Sequence, residues 1–434
     1  MISPTFANQL RTPEDRRTFI ERCAKISFGL SVLPFFTRIA DAAEKEGAAV
    51  PNAGLPGFGK AKRVIFLELA GGMSHIDTFD PKKGETKGPG SAIPTRADFQ
   101  LTSYLPEIAG VADKITVIRS MTAKVGVHAS AAYLMRTGFE KRGTIQHPTL
   151  GAWAQHYLGG SHKTLPSSVA INRSSNHGNG WFPASHSPLP ILSPEDGLMN
   201  TKSIESEEVQ AKRAELLIAL DAGFGKKAAD ENVKAYNEFY DTTFQLMKSK
   251  DLKAFDLSSE TKETRARYGK SKFGQGCLLA RRLVESGVRF VEVSSGGWDM
   301  HKTLDDSMAD RGGELDHVFA TLIEDLEARG LLDSTLVAIT TEFGRKPEFK
   351  DGGRGHHPLV FSTVLAGGGV KRGYVHGTSD AKGYAPEKDP VTVGSFHASI
   401  AHAAGLPVEQ EIMTPAGRPM VIGNKAKPVL GLFA

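Results

Sequence analysis

Along most of the chain, short apolar runs alternate with longer segments in which apolar residues recur every three to four positions. Residues 62–70 (KRVIFLELA) are nearly continuous in apolar character and stop at Gly71-Gly72, as expected for a strand buried on both faces whose C-terminal end turns sharply. Residues 113–119, 165–171, 288–293, 335–340 and 361–365 repeat that signature. Between them, helical periodicity predicts helices over 129–137, closed by Gly138, and over 150–158, 202–250, 276–286, 312–330 and 396–404. Residues 172–200, rich in Asn, Gly, Ser, His and Pro, read as a long loop. Strands alternating with helices predict an α/β fold with a central, mostly parallel sheet covered by helices on both sides.

The N-terminus departs from this pattern. Arg16-Arg17 is followed by an apolar run at 26–36 that is too short for a membrane span, which needs roughly 20 residues. Ala40-Asp41-Ala42 has the small-x-small form of a signal-peptidase site. Residues 1–42 are therefore expected to be a twin-arginine signal peptide, read by the twin-arginine translocase. A flexible lead-in follows at 43–60, and a single domain at 61–434 carries a loop and helical insertion near 172–250. The protein is expected to be exported, to the periplasm or beyond. The twin-arginine route carries folded proteins, which focuses attention on a cofactor acquired before export.

Composition narrows the function classes. The net charge of +4 falls to about +2 without residues 1–42, too neutral to argue for nucleic acid or an anionic membrane. No segment after the leader is apolar for 18 residues, so no stable membrane span is expected. Cys23 lies in the leader and Cys277 is alone, which leaves core packing or a metal, not an internal disulfide, to stabilise an exported chain.

In sheets of this kind the chemistry gathers beyond the C-terminal strand ends. The first predicted strand is followed by Ser74, His75 and Asp77, the strand at 288–293 by Asp299 and His301, and the strand at 335–340 by Glu342, Arg345, Arg354, His356 and His357. Carboxylates and imidazoles together suit Zn or Mn, or Fe, better than Mg or Ca. Asp77, Asp299, His301, Glu342, His356 and His357 are the metal candidates, with His356 and His357 not separable. Arg345 and Arg354 have the planar forks that suit a phosphate or sulfate group. Asp316 is a candidate for a supporting hydrogen bond, and Asp325 reads as a solvated helix residue.

Four stretches, GGMSHIDTFDPK at 71–82, HASAAYLMRTG at 128–138, SGGWDMH at 295–301 and residues 331–358, resemble the exported bacterial family called "domain of unknown function 1501". That family resembles a distant branch of the alkaline phosphatase/sulfatase superfamily. The resemblance implies a three-layer α/β fold with metal ligands at strand ends. It also places His128 where the superfamily's Cys or Ser nucleophile stands, as a ligand, nucleophile or acid/base, with Ser74 and Thr78 as alternative nucleophiles. Phe343 stands where a ligand His is usual, and the usual acidic pair of the first strand is missing, since Glu68 lies within the predicted strand.

Two functions follow. One is an exported metal-dependent hydrolase acting on an anionic small-molecule or glycan ester, of phosphate or sulfate. The other is a non-catalytic exported member of the same fold that binds a glycan or a protein, with Trp181 and Phe182 as stacking residues.

Overall fold

The computed structural model describes residues 52–173, 178–199, six positions between 206 and 216, and 245–434. The chain divides into residues 1–50 and 51–434. The expected signal peptide, part of the lead-in and most of the helical insertion lie outside the described residues.

Among the described residues, nine strands form the central sheet. In chain order they are β1 (Arg63–Leu69), β2 (Ile115–Thr122), β3 (Ser168–Ile171), β4 (Leu189–Ile191), β5 (Phe290–Ser295), β6 (Thr335–Thr341), β7 (Phe361–Ala366), β8 (Tyr374–His376) and β9 (Val391–Thr392). The spatial order is β8-β2-β7-β6-β1-β5-β3-β4, with β9 also pairing β2. Every pairing is parallel except those of β7 with β2 and β6. The mostly parallel sheet read from the sequence is therefore present, with one reversed strand.

Alternation along β1 shows why both faces are covered. Ile65, Leu67 and Leu69 pack in one core with Leu278 and Leu279 of α3 (Lys272–Glu285) and Leu315, Phe319 and Leu322 of α4 (Gly313–Ala328). Val64 and Phe66 point the other way, into a core with Met135 of α1 (His128–Thr137), Trp153 of α2 (Leu150–Leu158) and Phe396 of α5 (Val393–Ala403). A period of two in a strand sends successive side chains to opposite layers, and each such buried side chain contributes roughly 2 kcal/mol. Helix α1 ends as its sequence predicts, on Gly138 in the left-handed region (φ 79°). Among the described residues no helix is long and apolar enough to cross a membrane.

Three readings change. The 172–200 stretch is not all loop: it contributes β4, which among the described residues pairs only with β3. Its Leu-Pro-Ile sequence hides a strand because Pro190 has no N–H to donate, which an edge position tolerates. Asp325 is buried (5% exposed), not solvated. It accepts hydrogen bonds from the Tyr268 hydroxyl (2.9 Å) and Arg329 Nε (2.9 Å), and pairs with Arg281 Nε at 3.0 Å. Asp316 serves the fold: its two oxygens accept the Glu107 and Ile108 amides at 2.9 and 2.7 Å, anchoring the short helix Pro106–Gly110. Burial, partly countered by those two amides, pushes its carboxyl up to about 6.

Arg281 is fully buried among Asp325, Glu260 and Glu285. Replacing Asp325 by Ala is expected to lower unfolding free energy by about 3 kcal/mol, because the guanidinium loses a buried partner. Urea denaturation checks this, and a change below about 0.5 kcal/mol would mean that Asp325 behaves as a surface residue.

Candidate metal centre

The ends of β1, β5 and β6 lie side by side in register, so the loops that leave them meet. The loop after β5 is wedged between the other two. A Cβ on Gly71 (φ 125°) would lie 2.5 Å from the Asp299 amide nitrogen, and one on Gly353 would lie 2.2 Å from the His301 carbonyl carbon. Only glycine permits these approaches. The Trp298 amide donates to the Ala70 carbonyl (3.2 Å) and the Arg354 amide to the Met300 carbonyl (3.1 Å), fixing the loop that carries Asp299 and His301. The loop after β6 forms a short hairpin, Gly344–Arg345 against His356–His357.

Four of the predicted residues come together here with His128, the first residue of α1. His301 Nε2 and His356 Nε2 are 3.0 Å apart, and each lies near Asp299 Oδ1, at 3.1 and 3.2 Å. His128 Nε2 approaches Asp299 Oδ2 at 3.3 Å without hydrogen-bond geometry and is buried without a hydrogen-bond partner. Donor atoms of His128, Asp299 and His356 all lie within 4.8 Å of one another. Glu342, at the end of β6, is 2.5 Å from His128 Nδ1 through Oε2. The His128 and His356 rings pack on Phe343, with centroids at 5.1 and 4.6 Å, so Phe343 supplies an apolar floor.

The electrostatics favour a cation. His356 Nδ1 lies 2.9 Å from the Gly126 carbonyl, so this nitrogen donates and Nε2 is left with its lone pair. That lone pair, His128 Nε2 and the Asp299 carboxylate face a common space. Partial burial pushes the Asp299 carboxyl up, but the Arg345 guanidinium, with His356 and His301 behind it, holds it down at about 2. Burial lowers the His301 imidazole, a shift that Asp299 opposes and Arg345 reinforces. With neutral imidazoles, Asp299 and Glu342 outweigh Arg345 by one negative charge. Two or three nitrogens and a carboxylate, with one buried nitrogen unpartnered, fit Zn or Mn.

The remaining candidates are elsewhere. His357 follows His356 in an extended strand, so its ring turns away, and its Nε2 donates to the Tyr384 carbonyl at 2.7 Å. Asp77 is not brought into this set: its buried carboxylate pairs with Arg354 (Nε–Oδ2 2.7 Å) and accepts from the Ser74 hydroxyl. Ser74 and Thr78 are both buried, Thr78 donating to the Ser74 carbonyl at 2.5 Å, so neither hydroxyl meets solvent as a nucleophile must. Arg345 and Arg354 do not present free forks. Arg345 donates to the carbonyls of Gly71, Gly72 (2.7 Å), Trp298 (3.2 Å) and Arg354 (3.1 Å) and to Asp299 (2.5 Å). Arg354 is spent on Asp77, Pro347, Lys346 and Thr86. Both are internal ties, a role that sequence cannot distinguish from anion binding.

Arg345→Lys is expected to cost about 3 kcal/mol of stability, since one ammonium cannot reach acceptors on three loops and leaves buried carbonyls unpaired. Guanidinium denaturation checks this, and a loss within about 0.5 kcal/mol would show that the ties are dispensable.

Solved structures of similar arrangement include the lipoteichoic acid synthase LtaP from Listeria monocytogenes (9% identity, TM-score 0.42, covering 85% of this chain and 77% of that one). Another is a sulfatase from Pseudoalteromonas sp. (13%, 0.38, 80% and 68%). A third is alkaline phosphatase from the Antarctic bacterium TAB5 (14%, 0.32, 71% and 92%). No curated protein matches the sequence. The family description "Protein of unknown function (DUF1501)" matches residues 61–433, nearly the whole of the domain built around this centre, and the chain belongs to that family.

Proposed function

We propose that the protein is an exported metal-dependent hydrolase of phosphate or sulfate esters. The observation that carries this reading is the convergence of His128, Asp299 and His356 at the strand ends, with His128 Nε2 buried and without a hydrogen bond. These three residues would hold a Zn or Mn ion, and His301, 3.0 Å from His356, offers a fourth donor. Such an ion supplies Lewis acidity toward an ester oxygen and lowers the pKa of water.

The chain's own residues set the rest. Arg345 keeps Asp299 ionised and fixes its Oδ1. Phe343 excludes water from beneath the imidazoles. Asp299 and His301 lie at the solvent edge, each about half exposed, so an ester has access. Because both arginines are occupied, an anionic ester would be met by the cation and not by a guanidinium fork.

The occupied arginines and buried hydroxyls also favour the second reading, a non-catalytic exported protein that binds a glycan or a protein. Its proposed stacking residues give it no support. Phe182 is buried against Trp153 and stacked on His156 at 4.4 Å, and Trp181 packs on Trp153 and His147. The Arg16-Arg17 leader supports export under either reading.

Elemental analysis of the full chain, folded in the cytoplasm and purified without chelator, is expected to find Zn or Mn. The metal should be lost in Asp299→Ala and His356→Ala variants that remain folded. Phosphate and sulfate ester hydrolysis should fall by about a thousandfold in both, matching the several kcal/mol that a metal supplies. Folded, metal-free wild-type protein that cannot be reloaded would sink the hydrolase and leave the binding protein.

A further inference from the structure

Glu342 is the one carboxylate of the centre with both oxygens already engaged. It is 5% exposed. Oε1 accepts the Gly71 amide at 2.9 Å, and Oε2 lies 2.5 Å from His128 Nδ1. We propose that Glu342 acts through His128 and not on the metal: it is a positioning residue that holds the imidazole with its proton on Nδ1 and aims the Nε2 lone pair at Asp299. The proposal deepens the hydrolase reading and rests on it for the metal.

An ionised carboxylate only accepts, and a neutral imidazole donates from one nitrogen and accepts at the other. Contact with Glu342 therefore puts the proton on Nδ1. The lone pair falls on Nε2, the atom that is buried without a hydrogen-bond partner 3.3 Å from Asp299 Oδ2. Two acceptors at that distance repel unless a metal ion or a proton lies between them.

The ring has little freedom to turn. Phe343 packs against it with centroids 5.1 Å apart, and His356 meets it edge-on at 4.4 Å. Glu342 is itself fixed at both ends, since the amide that binds Oε1 belongs to Gly71, which cannot carry a side chain beside the Asp299 amide. The tautomer of His128 is thus tied to the glycine turn that seats the Asp299 loop. A carboxylate behind a ligating imidazole fixes its orientation and raises its basicity, and losing it typically weakens metal binding 10- to 100-fold.

The test uses the full chain and zinc alone as probe. In Glu342→Gln the side-chain oxygen can still accept the Gly71 amide, while an NH₂ replaces the oxygen facing Nδ1. Nitrogen-15 NMR of the histidine rings in metal-stripped protein, assigned with His128→Asn, should show wild-type His128 protonated on Nδ1 and Glu342→Gln protonated on Nε2. Zinc should bind Glu342→Gln 10- to 100-fold more weakly with unchanged stoichiometry, and the double variant no more weakly than His128→Asn alone. Wild-type His128 protonated on Nε2 would overturn the proposal. So would additive losses in the double variant, which would place Glu342 on the metal independently. If zinc binds none of these proteins, the metal reading fails, and the tautomer measurement alone decides whether Glu342 positions His128.

Discussion

The Arg345 guanidinium is the tie on which the centre depends. It is wholly buried, and its donors reach the carbonyls of Gly71, Gly72, Trp298 and Arg354 and the carboxylate of Asp299. These acceptors belong to the loops that leave three neighbouring parallel strands. Parallel strands bring their C-terminal ends together but leave the carbonyls of the departing loops without ladder partners. A planar group with five donors satisfies several of them at once, which a lysine ammonium cannot do. The charge it brings in is balanced at its open end by Asp299, and that pairing fixes the carboxylate around which His301 and His356 gather.

Two clusters of similar composition lie near this tie and do different work. Asp77, Arg354 and Ser74 are shut from water and neutralise one another, so their chemistry is spent on holding the loop after β1 to the hairpin that follows β6. Asp299, His301 and His356 reach solvent and carry surplus lone pairs, and the His356 ring stands on Phe343. A buried ion pair with full hydrogen bonding has little reason to exchange its partner for a ligand, whereas an open set of acceptors gains by taking up a cation. Water access and partner count separate the structural cluster from the candidate centre.

What the sequence determined by itself is the frame. Nearly continuous apolar runs such as Arg63–Leu69 and period-3.6 segments such as Gly313–Ala328 are local signals, and burial on both faces leaves them little alternative conformation. The glycines after the strands and the Asp, Glu and His that follow them were legible for the same reason, because strand ends in a parallel sheet converge. The β4 edge strand was less legible, since Leu189-Pro190-Ile191 is too short to carry a period. Only the tertiary structure decided which polar residues meet. His356 and His357 differ in strand parity, Asp77 and Asp299 in which arginine reaches them and in whether water does, and Asp325 became a core residue because Tyr268 and Arg281 come to it from distant positions. Those outcomes depend on distances between residues up to hundreds of positions apart, which no local pattern encodes, and on the exclusion of water, which is a property of the assembled layers.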